Sequence, residues 1–131
     1  MLAPATTGST AATQPQVKAS RDPEQQFKRL PPIALDALQL AAIRRDVAER
    51  LRDPESARLK DIKAGRDDKS ILVCGLVNAK NGFGGYTGFT PFIGMMLETP
   101  TRLRFAVISI ASSEAATVAV IKMCSGHGLM A

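Results

Sequence analysis

The stretch from Ser70 to Phe92, SILVCGLVNAKNGFGGYTGFTPF, decides the fold. In its first half Ile71, Val73 and Val77 fall on one side of an extended chain, and Leu72, Cys74 and Leu76 on the other. Apolar residues on both sides predict a central strand. Asn81-Gly82 follows at once and is a strong signal for a hairpin turn.

The second half is built of triplets, Gly-Phe-Gly, Gly-Tyr-Thr and Gly-Phe-Thr, then Pro-Phe. Its glycines and Pro91 exclude a helix, because their summed propensity cost is several kcal/mol, about 1 per Gly and 3 for Pro. A phosphate loop is excluded too. Lys80 precedes the glycines instead of following them, and the residue three after Gly84 is Thr87, not Gly. As a strand, a period of three sends Phe83 and Phe89 to one side, Tyr86 and Phe92 to the other. The expectation is a twisted or bulged strand in which Gly85 and Gly88 leave gaps for cross-strand aromatics. Two uses of the rings stay open. All four may serve as core or cover, or Tyr86 and Phe92, with Asn78 and Lys80 beside them, form an exposed face for a protein, peptide or glycan partner.

Outward from this stretch, TRLRFAVISIA at 101–111 reads as a further strand, and ARLKDIKAG at 57–65 as a weaker one. Leu40, Ile43, Val47 and Leu51, spaced 3, 4 and 4, predict a helix over Ile33–Arg52, with Asp46 and Arg50 paired on its exposed side. Asp53-Pro54 ends it. Near the C-terminus Ser113 can cap a helix that Gly126 ends, although Val118, Val120 and Ile121 also suit a strand. The expected architecture is α+β: a long N-terminal helix on a small antiparallel sheet of three to five strands, with a short C-terminal helix or strand.

Residues 1–32 are rich in Ala, Thr, Ser, Gln and Pro and have little to bury, so they read as a disordered tail or linker before a single domain at 33–131. The net charge is +5, spread along the chain as in a solvated mixed-charge surface. No nucleic-acid motif accompanies it. No apolar run reaches the roughly 18 residues of a membrane span. The N-terminus lacks a basic region, and Pro4, Thr6, Thr7 and Gly8 interrupt any apolar one, so it does not read as a signal peptide.

The only two cysteines are Cys74 and Cys124. They can form a disulfide, worth about 4 kcal/mol in the chain-entropy model, or stay as buried thiols. Cys124, His127 and Cys74 give three soft ligands where structural zinc takes four, so no metal is expected. The sole histidine lacks an orienting third group for a Cys–His nucleophile. No carboxylate occurs between Asp68 and Glu98, so the aromatic strand has no acid–base pair. No catalytic residue and no cofactor are assigned.

Asp53, Pro54, Ser56 and Ala57, followed by Cys74, Gly75, Val77, Asn78, Lys80, Asn81, Gly84 or Gly85, Tyr86, Gly88 and Phe89, follow a pattern D-P-x-S-A-x-F, then C-G-x-V-N-x-K-N-x-x-G-x-Y-x-G-F. This resembles a family of small bacterial exported or lipoprotein-like domains of unassigned function, over about residues 40–125. Leu59 stands where an aromatic is usual. The resemblance implies an α+β fold, paired cysteines, and a periplasmic or cell-envelope location, against a cytoplasmic one. It carries no reaction. The leading expectation is a non-enzymatic exported binding or interaction domain. A structural subunit of a larger assembly and a small enzyme are the alternatives.

Overall fold

The structure, a computed structural model, describes residues 27–99 and 101–130. The expected tail therefore lies outside the described residues as far as residue 26. Five strands form one antiparallel sheet in chain order: β1 (Pro32–Ile33), β2 (Arg58–Asp67), β3 (Ser70–Asn78), β4 (Thr90–Glu98) and β5 (Leu103–Ile110). Two helices complete the α+β fold, α1 (Ala37–Ala48) between β1 and β2, and α2 (Glu114–Gly126) after β5.

The central strand is β3, as its two apolar sides require. Ile71, Val73 and Val77 join Phe92, Met96 and Phe105 beneath α1, whose Ala42, Ile43 and Val47 are buried there. Leu72 and Cys74 join Ile93 beneath α2, whose Val120 and Cys124 are buried on the other face. The sheet thus lies between the helices. Cys74 and Cys124 are disulfide-bonded, with Cα atoms 6.1 Å apart, and tie α2 to the middle strand across 50 residues.

Helix α1 is shorter than its periodicity predicts. It does not begin at Ile33, because Pro32 and Ile33 pair with Gly65 and Ala64 of β2. Asp36 starts it instead. The Asp36 side chain accepts from the Gln39 backbone N–H, and the Gln39 side chain accepts from the Asp36 N–H, a closed capping box. After Ala48 the chain tightens, with Arg50 and Leu51 N–H groups donating to Val47 and Ala48 carbonyls. The residues before Asp53-Pro54 are then already out of the helix.

Asp46 is not on the exposed side. It is 7% exposed. Its carboxylate accepts from Arg45 at 2.9 Å and from the Phe105 backbone N–H at 2.7 Å. Arg45 also donates to the Leu103 carbonyl at 2.9 Å. These side chains fasten α1 to β5. The Arg45 hydrogen bond, opposed by burial and assisted by the Phe105 N–H, holds the Asp46 carboxyl below its ordinary range.

The composition of residues 27–32 suggests a tail, yet they pack on the fold. Leu30 is buried and its N–H donates to the His127 carbonyl. Phe27 packs against His127 with the rings tilted by 56° and their centroids 5.2 Å apart. Two large residues, Phe27 and Leu30, give the segment its contacts, and composition averages such residues away.

The aromatic stretch is the largest departure from expectation. Residues 79–89 are a loop between β3 and β4, not a strand, and β4 starts at Thr90. Counting alternation through a loop loses parity. Phe92 is in fact 0% exposed, lies opposite Gly75 and meets Phe105 edge-on at 6.0 Å. It is core, not surface, and leaves the candidate binding face. Gaps covered by aromatics do exist, but at other glycines. A Cβ on Gly75 would come within 2.7 Å of the Phe92 ring, and one on Gly94 would collide with Phe105. At Gly85 and Gly88 nothing lies within 4 Å. The pairing slips by one residue at two places, between Lys60 and Lys63 in β2 and between Ser109 and Val107 in β5.

Candidate interaction surface

The β3–β4 loop holds its shape by backbone hydrogen bonds of its own and by bonds to asparagine and serine side chains. The Gly84 N–H donates to the Asn81 carbonyl and the Asn81 N–H to the Gly85 carbonyl. Gly84 stands at φ 84°, the left-handed position that follows the turn in a three-residue hairpin loop. So the Asn81-Gly82 signal does mark a turn, of a longer type than a two-residue one. Asn81 Oδ1 accepts from the backbone N–H groups of Phe83 and Gly85, as a turn asparagine can. Asn78 Oδ1 accepts from the Gly88 N–H at 3.0 Å. Asn78 is therefore half-buried and structural in its oxygen.

Ser56 joins this loop to the turn that precedes β2. Its hydroxyl donates to the Asp53 carbonyl and accepts from the Lys80 N–H. Its carbonyl accepts from the Tyr86 hydroxyl at 3.0 Å. Lys80 and Tyr86 also pair as a short antiparallel bridge. The two sequence segments 53–57 and 74–89, far apart in the chain, are thereby one unit in space.

Rings and cations crown that unit. Phe83 is 98% exposed, Phe89 42% and Tyr86 37%. The Arg58 guanidinium lies 4.5 Å from the Tyr86 ring centre, with the Lys80 ammonium at 5.8 Å. The Lys60 ammonium lies 4.1 Å from the Phe89 ring centre. Arg58 and Lys60 are two apart on β2, so they emerge on one face. Each contact is worth about 0.5–1 kcal/mol at such exposure. Among the described residues the ion pair is Arg45–Asp46, so these cations sit against rings and not against carboxylates.

Of the residues proposed from sequence, Tyr86 and Lys80 come together on this surface. Asn78 supports it from below, and Phe92 is absent from it. The structure adds Phe83, Phe89, Arg58 and Ser56 to them. Alternation along a strand would put Phe83 and Phe89 opposite Tyr86 and Phe92, and the loop at 79–89 breaks it. Ser56 carried a readable signal, since Asp53-Pro54-Glu55-Ser56 has a turn's composition, but its partners 24 and 30 residues away are set by the β2–β3 register.

The disulfide and His127 lie elsewhere. The Cys74 and Cys124 sulfurs are bonded to each other, and His127 Nδ1 donates to the Lys28 carbonyl at 2.8 Å. The Cys124-x-x-His127 spacing therefore assembles neither a nucleophile pair nor a ligand set. No helix among the described residues is long and apolar enough to cross a membrane. Comparison of the chain with protein-family models, curated proteins and solved structures finds no match.

Proposed function

We propose that the chain is a non-enzymatic binding domain whose contact surface is the β3–β4 loop with the start of β2. The exposure of Phe83 carries this reading. A phenylalanine left in water forgoes roughly 1.5–3 kcal/mol of burial, and the loop around this one is fixed by five hydrogen bonds from Asn81, Asn78 and Ser56 or to them. An exposed ring carried on a fixed loop is an anchor for a pocket on another molecule. Phe89 and Tyr86, each under a cation, form its surround. The test is Phe83→Ala in the full chain. It should keep the wild-type melting temperature and lose whatever partner the wild type retains by cross-linking in its native compartment. Equal retention by the variant would defeat the assignment.

The resemblance and the disulfide together support export, to the periplasm or cell envelope of a bacterium. A disulfide persists in an oxidising compartment and is rare in the cytosol. Thiol counting on unfolded, unreduced protein taken from its native compartment should find no free thiol. Two reactive thiols there would reject the export reading while leaving the contact surface untouched.

A further inference from the structure

Behind the loop lies a groove of about 170 Å³ between Leu51–Arg52 and residues 77–90. Its apolar part is aliphatic, from the half-buried Leu51 and Ala79 over the buried Val77. Its charged residues are Arg52 and Lys80, and no carboxylate lines it. Asn81 Oδ1 is already taken by two backbone N–H groups, so its amide NH₂ is the group left to donate. Thr87 adds a hydroxyl. The lining is thus cationic and donor-rich over an aliphatic base.

We propose that this groove binds an acidic peptide segment, its carboxylates toward Arg52 and Lys80 and an aliphatic side chain against Leu51 and Ala79. The proposal rests on the loop being a binding surface and names the chemistry it would select. A carboxylate suits two cations with neutral donors between them. Single-stranded nucleic acid suits the site less well. Base recognition of that kind stacks on open aromatic faces, whereas Arg58 and Lys60 already lie over Tyr86 and Phe89 and no ring lines the groove. A bilayer cannot enter a concave site of this size.

The experiment is an amide-resolved NMR titration of the full chain. The probe is a blocked peptide alternating glutamate and leucine, and the control is the same peptide with glutamine for glutamate. The acidic peptide should shift the amides of Lys80, Asn81, Thr87 and Gly88, and its affinity should fall as salt is raised. Arg52→Gln and Lys80→Gln should each weaken it roughly 5- to 30-fold, the equivalent of one to two kcal/mol. Lys69→Gln, in the β2–β3 turn, should leave it unchanged, and the spectra themselves report that each variant is folded. Equal binding of the glutamine peptide would overturn the proposal, as would preferential binding of oligothymidylate in the groove. No shift at millimolar peptide would overturn it too. Shifts confined to Phe83, Tyr86 and Phe89 would overturn the groove while sparing the loop as a contact surface. Failure of the Phe83→Ala test with groove shifts intact would do the reverse.

Discussion

The glycines of the sheet and the glycines of the β3–β4 loop are the same residue used for opposite reasons. Gly75 and Gly94 are sockets. The Phe92 ring closes over the first and Phe105 over the second, and the two rings meet edge-on. Here the missing side chain is the feature, because a neighbour fills its place. Gly84 and Gly88 face open space and stand at φ 84° and 104°. There the backbone angle is the feature, and no neighbour depends on the missing side chain. Substitution should therefore fail by packing in one set and by backbone strain in the other.

The socket set should show the larger effects. Phe92→Ala removes a lid and leaves a cavity over Gly75, and should cost roughly 3–5 kcal/mol in urea unfolding. A loss under about 1 kcal/mol would mean that the ring is not a packing element. Gly94→Ala should come next. Its Cβ would lie 2.5 Å from the Ala106 carbonyl oxygen, which is backbone and cannot swing aside, so the cost should reach about 3 kcal/mol, the upper end of overpacking.

Asp46 sharpens the picture, since its bond to the Phe105 N–H fixes the strand that carries the second lid. Asp46→Ala leaves that N–H without its partner and should cost roughly 1–3 kcal/mol at neutral pH. The sign with pH follows from the lowered carboxyl. Its contribution is complete above the unfolded pKa of about 3.9 and is lost as pH falls toward the lower folded value. The gap between wild type and Asp46→Ala, followed by unfolding midpoints, should narrow below about pH 4. A gap constant down to low pH would show that the carboxylate's charge is immaterial.

The loop set should show the smallest effects, and of two signs. Gly88→Ala should cost about 1–2 kcal/mol for a side chain at positive φ. Gly85 carries neither a positive φ nor a neighbour within 4 Å, so Gly85→Ala should stabilise by about 0.4–1 kcal/mol by restricting the unfolded chain. If Gly85→Ala costs as much as Gly94→Ala, the division between sockets and turns collapses.

Much of the scaffold was legible. The two apolar sides of Ser70–Asn78, the Asn81 turn, the strand after Arg102 and the Ser113 cap all leave local marks. What was not legible depends on register. Which glycine faces which phenylalanine is fixed by pairing Gly75 with Phe92, residues 17 positions apart, and alternation cannot be counted through a loop. The burial of Asp46 was hidden because an i,i+4 partner, Arg50, offered a plausible surface pair. The true partners are the adjacent Arg45 and a backbone group 59 residues away. For the proposed surface, Tyr86 and Lys80 are residues that the sequence singles out and that the fold places side by side. Phe83 was misplaced by parity, and Arg58 has no mark beyond its charge.

The fastening of α1 to β5 has a consequence beyond holding a helix. The outermost strand of an open sheet exposes a row of unused backbone donors and acceptors onto which another molecule can add a strand. On β5 the Leu103 carbonyl is occupied by Arg45 and the Phe105 N–H by Asp46, and the extra residue at Ile108 interrupts the row further on. On the opposite margin β1 is two residues long and one of them, Pro32, has no N–H to offer. The β5 margin is thus stopped along its length, whereas β1 covers only Ala64 and Gly65 of β2 and leaves Arg58–Lys63 without a strand on that side. Acid that neutralises Asp46 removes one of those stops, and self-association at low pH should begin along β5.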